Sequence, residues 1–240
     1  MENLKKVFAG LLALAVGVFA FVSCIDEQKA PLNAVADVII QDMKTDAGVK
    51  YGILIYANAD FDIKSAKVTA PGTGGKVYQL TASTSKQQFL FLPQVADYTS
   101  ELPLKGDYSI EITSMNDVKL VGVDPLSDEK LTPIVIKTAT MASQKLKTTW
   151  DKITGADAYV VKLYSANKAE VLFSSNYLTS DITEFEFSSS SAGWAYGVAP
   201  VANTNYVVEL LGVKVETGVL VDKGNNLQFI TVDSKTIKWE

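Results

Sequence analysis

Residues 145–165, KLKTTWDKITGADAYVVKLYS, decide how this chain folds. One extended run ends at Trp150, the chain turns through Asp151-x-Ile153-x-Gly155-Ala156, and a second run restarts as Tyr159-x-Val161-x-Leu163. A period of two places Tyr159, Val161 and Leu163 on one side of a strand, where they form a buried face. The indole of Trp150 and the ring of Tyr159 are large apolar bodies, so they are expected to pack across two sheets as core.

The same grammar continues on both sides of that stretch. IVIKTATM (134–141) precedes it, and ITEFEFS (182–188), PVANTNYVVELLGV (200–213) and NLQFITV (226–232) follow. TIKWE (236–240) is read as a terminal edge or extension, and VKVETGVLV (213–221) as an additional strand or hairpin. In the first half, strands are predicted at VADVIIQDM, YGILIYA, KSAKVTA, KVYQLTA, QQFLFLP, DYSIEITSM and VKLVGV. No long segment keeps a helical period, and short runs rich in Val, Ile, Thr, Tyr and Phe alternate with turn residues, which is an all-β pattern. APGTGGK (70–76) lacks the first glycine and the final Ser or Thr of a phosphate loop, so it is read as a hairpin loop.

The stretch 146–164 resembles strands B and C of a fibronectin type III domain. Leu104-x-Gly106-x-Tyr108, followed by Ile110 and Ile112, resembles the tyrosine corner that opens strand F of immunoglobulin-like sandwiches, and Tyr206 with Val208 and Leu210 resembles a second one. DPLSDEKLTP (124–133), with two prolines and four charges, interrupts the pattern between them. The resemblance implies two tandem Ig/fibronectin III-like β-sandwiches, at 34–130 and 131–240.

The N-terminus reads as an export signal. Lys5 and Lys6 precede an apolar run from Val7 to Val22, and Phe21-Val22-Ser23-Cys24 resembles the lipobox of bacterial lipoproteins. That resemblance implies a signal peptide over 1–23 and a lipidated Cys24 followed by a linker to residue 33. The tether explains a lone cysteine in an exported chain, because lipidation removes a thiol that would otherwise pair with other molecules. Asp26-Glu27 just after it resembles the signal that carries lipoproteins of Bacteroidetes to the outer face of the outer membrane. The expected location is therefore the outer membrane, at the cell surface or alternatively on its periplasmic face.

Composition excludes several functions. The chain carries no histidine and no arginine, and 22 basic against 27 acidic residues give a net charge of −5. Absence of histidine removes imidazole bases and the usual zinc and copper sites. With Cys24 assigned to a lipid, thiol catalysis goes too. The acidic balance without basic runs speaks against nucleic acid. The reading is a non-catalytic protein with no cofactor and no metal site, whose partners are the membrane through Cys24 and a polysaccharide or an envelope protein.

One segment draws the search for a ligand. SSNYLTSDITEFEFSSSSAGWAYGVAP (174–200) carries Trp194 and Tyr196 at spacing two, and if that part is strand-like the two rings share a face. Tyr177, Asn176 and Asp181 are placed near the same end as polar partners for sugar hydroxyls. Glu184 and Glu186 alternate with Phe185 and Phe187 and are read as a solvated strand face rather than a glycosidase pair. Asn58, Asp60 and Asp62 offer oxygen ligands but lack a calcium loop around them, so a turn is expected. Two functions follow: a surface module for glycan, or a structural spacer or adhesin subunit that makes protein–protein contacts.

Overall fold

The computed structural model describes residues 32–83, 85–221 and 226–240; Cys24 and the segment read as an export signal lie outside them. Seven strands build the first sandwich: β1 (Ala34–Thr45), β2 (Gly48–Ala59), β3 (Ile63–Thr69), β4 (Val77–Ala82), β5 (Gln88–Phe91), β6 (Gly106–Ser114) and β7 (Lys119–Leu126). Eight more build the second: β8 (Ile136–Ala142), β9 (Lys145–Trp150), β10 (Ala158–Ser165), β11 (Val171–Ser174), β12 (Leu178–Thr179), β13 (Glu184–Ser188), β14 (Asn205–Val215) and β15 (Leu227–Lys238). Among the described residues no α-helix occurs.

In the first half β1, β2 and β5 lie side by side, as do β4, β3, β6 and β7, and a short pairing of β4 with β5 joins the two groups. In the second, β13, β9 and β8 form one sheet, while β11, β10, β14 and β15 form the other, with β12 beside β10. Each half thus has the strand order of a fibronectin III-like sandwich, and the fold is all-β with two of them in tandem.

Alternation fills the interior. Val38, Ile40, Ile53 and Ile55 meet Val68, Leu80, Ile110 and Ile112 in the first half, and Leu146, Trp150, Tyr159, Val161 and Leu163 meet Val208, Leu210 and Phe229 in the second. Trp150 and Tyr159 pack edge to face, 5.4 Å between ring centres. Both tyrosine corners are present. The Tyr108 hydroxyl donates to the Leu104 carbonyl at 2.9 Å, and the Tyr206 hydroxyl accepts from the Val201 N–H at 2.8 Å. Each bond ties the strand entrance to the loop before it, satisfying a phenol that would otherwise be buried unpaired.

Two expectations change. Residues 213–221 form no separate strand: β14 runs on to Val215, and a turn follows at Glu216–Val219. NLQFITV and TIKWE are one strand, because β15 pairs with β14 without interruption from Ile230 to Lys238. Backbone pairing across eleven residues of β14 leaves no reason to break at Asp233–Lys235. The short edge strands β11 and β12 were also not anticipated from the sequence.

The two sandwiches share a sheet. β1, the first strand, lies parallel to β15, the last, with Ile40 opposite Phe229 and Gln41 opposite Ile230. Residues 33–240 accordingly form one compact unit. On the outer face of the shared sheet a second apolar cluster spans the seam: Ile39 from β1, Val160 from β10, Val213 and Val215 from β14, and Ile230 from β15, with Tyr56 and Tyr177 packed against them. Side chains stitch the seam further. Asp42 accepts from the Thr231 hydroxyl (2.6 Å) and the Val232 N–H (3.1 Å), and Gln228 accepts from the Ser127 N–H and donates to the Pro125 carbonyl, both at 2.7 Å.

Candidate functional site

The segment 171–200 begins with β11, whose free edge is extended by residues beyond β13. Ser174 N–H donates to the Gly193 carbonyl at 3.0 Å and Ala195 N–H to the Leu172 carbonyl at 2.9 Å, a short antiparallel bridge between Phe173 and Trp194. Gly193 makes this approach possible. Its φ is +114°, and a Cβ there would sit 2.4 Å from the Ser174 carbonyl oxygen.

The bridge delivers Trp194 to the rim of the core. Its indole meets Phe173 edge-on at 5.3 Å and Trp239 at 5.7 Å, and its Nε1 donates to the Ser188 carbonyl at 2.9 Å. Beneath it Phe173 and Phe187 stack at 4.0 Å. Tyr196 is fully exposed, and the chain between 195 and 198 turns, with Val198 N–H bonded to the Ala195 carbonyl. The segment is therefore not strand-like past Ala195, and the condition for a shared Trp194–Tyr196 face is not met.

The remaining residues divide. Asn176 and Tyr177 line a surface hollow of about 490 Å³ with Val160, Ser174 and Ser175. Tyr177 leans on the outer seam cluster, whereas Trp194 packs against the inner core. Burial holds the Tyr177 phenol above its ordinary pKa, and the nearby Asp37 charge adds to this. Asp181 caps a turn: it accepts from the Thr179 hydroxyl at 2.5 Å, which lowers its pKa. The structure brings Asn176 and Tyr177 together and leaves Trp194, Tyr196 and Asp181 outside that hollow's lining.

The carboxylates read as solvated behave as such. Glu184 and Glu186 pair with Lys147 and Lys145 at 2.9 and 2.8 Å on the exposed face of β13. Asp60 is engaged by Asn33 through both backbone and side-chain amides at 2.9 Å, which lowers its pKa.

A different group of carboxylates, not foreseen, gathers at the seam. Asp37 of β1, Asp124 of β7 and Glu216 just after β14 each offer an oxygen within 4.8 Å of the others. Asp37 and Asp124 are 1% and 5% exposed. One oxygen of each aspartate is fixed by a backbone N–H: Leu227 donates to Asp37 Oδ2 at 2.8 Å, and Val38 donates to Asp124 Oδ2 at 2.7 Å. Asp37 Oδ1 and Glu216 Oε1 are buried, and among the described residues no hydrogen bond reaches either atom, although the Asp124 and Glu216 carboxyls engage each other. Burial pushes the Asp37 carboxyl up to about 6 and raises Asp124 as well, since a carboxylate taken out of water is destabilised and its charged neighbours oppose ionisation. The Tyr56 phenol lies against Asp37, and its own pKa is raised, first by burial and then by that charge. The sequence held one signal for this cluster: an aspartate inside the apolar run VADVII, where a strand has no ordinary use for a charge.

No family model matches the chain, and no curated protein matches it. Among solved structures it is similar to a segment of two fibronectin type III domains from chicken tenascin, at 11% identity and a TM-score of 0.28, covering 86% of this chain and 99% of that one. It is also similar to a tetra-tandem repeat in the extending region of a large adhesion protein, at 12% identity and a TM-score of 0.26, covering 87% of this chain and 50% of that one. Both scores are low, so the assignment of two fibronectin III-like sandwiches rests on the strand order and on the corners at Tyr108 and Tyr206.

Proposed function

We propose that the chain is a non-catalytic structural module of the cell envelope, a spacer or adhesin-type subunit tethered to the outer membrane by lipid on Cys24 and working through protein–protein contacts. The observation that carries this reading is the seam. Two sandwiches joined by β1 and β15, by a second apolar cluster and by buried aspartate bonds transmit position and force in a way that two flexibly linked domains do not. Val121 and Val123 on β7 point outward and are 72% and 65% exposed, which offers apolar surface at one end of the long sheet. The packing of Trp194 against Phe173 and Trp239 gives that ring a structural task.

A glycan-binding module is the second reading, favoured by the hollow at Asn176 and Tyr177. One experiment separates the two. The purified protein is offered bacterial, plant and host polysaccharides, with Asn176→Ala and Trp194→Ala variants beside it. The structural reading expects no retention on any of them. Retention lost in Asn176→Ala, with folding intact, overturns it in favour of glycan. The tether is tested separately: Cys24→Ser is expected to move the protein from the membrane fraction to the soluble fraction and to abolish acyl-chain mass on the N-terminal peptide.

A further inference from the structure

We propose that Asp37, Asp124 and Glu216 form a calcium site that locks the two sandwiches together. The site goes beyond the envelope-spacer reading and does not depend on it. Its ligands come from both halves: Asp37 and Asp124 belong to β1 and β7 of the first sandwich, and Glu216 follows β14 of the second. Their nearest oxygens lie within 4.8 Å of one another, about twice a Ca–O distance of roughly 2.4 Å. All three donors are carboxylate oxygens, the hard ligands that calcium prefers.

Each aspartate is already positioned. The Leu227 and Val38 N–H groups hold one oxygen of each, so the side chains cannot swing away to water. The independent sign of a ligand is Asp37 itself. The residue is 1% exposed, and Leu227, Asn226 and Tyr56 engage its carboxyl while Asp124 and Glu216 engage each other; yet among the described residues no hydrogen bond reaches Asp37 Oδ1 or the buried Glu216 Oε1. Native proteins rarely leave a buried carboxylate oxygen unpaired, because the desolvation cost is large. Among the described residues no lysine forms an ion pair with any of the three; the nearby Lys214 is paired with Asp157 and Glu129. A divalent cation would supply to all three at once a countercharge that no described lysine provides. A hollow of about 290 Å³, bordered by Pro125, Ser127, Glu216, Thr217 and Gln228, opens beside Glu216 and gives the ion and its waters a way in.

The test uses the full-length protein in detergent, stripped with chelator and titrated calorimetrically with CaCl₂ and separately with MgCl₂. The expected result is one calcium per chain with a Kd no weaker than about 10⁻⁴–10⁻³ M. At a hundredfold excess over Kd the Tm is expected to rise by about 5–10 °C. Glu216→Gln, which keeps the size and removes the charge, is expected to weaken calcium by about tenfold or more without lowering the Tm of the chelated protein. Absence of binding heat and of any Tm shift up to about 10 mM calcium overturns the site. So does an equal response to magnesium, which denies calcium selection, or unchanged affinity in Glu216→Gln, which places the ion elsewhere.

Discussion

Trp194 shows how a residue's neighbours fix its role. Its ring is held by Phe173, Phe187 and Trp239 and by a hydrogen bond to Ser188, so truncating it removes packing from the rim of the second core. Trp194→Ala is expected to destabilise the protein by about 2–4 kcal/mol, less than a fully buried tryptophan because one edge meets solvent. A denaturant midpoint that does not move would mean the ring is a surface platform after all. Asp42 poses a different question, since it accepts two hydrogen bonds across the seam while 3% exposed. Burial outweighs those bonds and raises its pKa. A carboxyl that binds its proton more tightly when folded contributes stability that is complete below its unfolded value, near 4, and is lost as pH rises through the folded value. Asp42→Asn has no such proton to lose. The Tm difference, variant minus wild type, is therefore expected to become more positive from pH 4 to pH 7 in chelator. A trend of opposite sign would show that Thr231 and Val232 hold the group ionised.

The strands were legible because each has one buried and one exposed side. In β10, Tyr159, Val161 and Leu163 face the inner core, and in β6 Tyr108, Ile110 and Ile112 do the same, so a period of two in the sequence was a period of two in the structure. Pairings of low local signal were not legible. β11 and β12 are four and two residues long, and their place is set by β10 rather than by their own composition. The parallel pairing of β1 with β15 joins the two ends of the described chain, and nothing near Ile40 announces Phe229. The seam carboxylates were hidden for the same reason: Asp124 opens a stretch rich in charge and proline that reads as a linker, yet it is the sixth residue of β7 and buried. Gly193 is the element-scale counterpart. Gly193→Ala forces a Cβ to within 2.4 Å of the Ser174 oxygen at φ +114°, so the bridge to β11 must open. The expected cost is about 1–3 kcal/mol. It should come with a red shift of tryptophan emission as Trp194 leaves its pocket, and a variant with unchanged emission would mean that Trp194 is held without the bridge.

At the scale of the whole molecule the seam decides whether the chain behaves as one body or two. The buried apolar cluster that fills the first sandwich is continuous with that of the second, and Tyr51 of β2 meets Phe229 of β15 edge-on at 6.2 Å. Neither half can open without exposing the Ile39–Ile230 cluster and the bonds of Asp42. Cooperative unfolding follows when the free energy of the interface is comparable with that of the parts it joins. All three tryptophans, Trp150, Trp194 and Trp239, lie in the second half, which gives a clean reporter. Ile55, on β2 of the first sandwich, is completely buried and belongs to the inner core of that half. Ile55→Ala is expected to destabilise by about 2–5 kcal/mol. If the seam couples the halves, the tryptophan-detected denaturant midpoint falls together with the loss of circular dichroism, although no tryptophan lies in the half that was damaged. If instead circular dichroism falls in two steps and the tryptophan midpoint stays where it was, the sandwiches unfold separately. The shared strand pairing then joins two modules without making them rigid, and the spacer reading loses the observation it stands on.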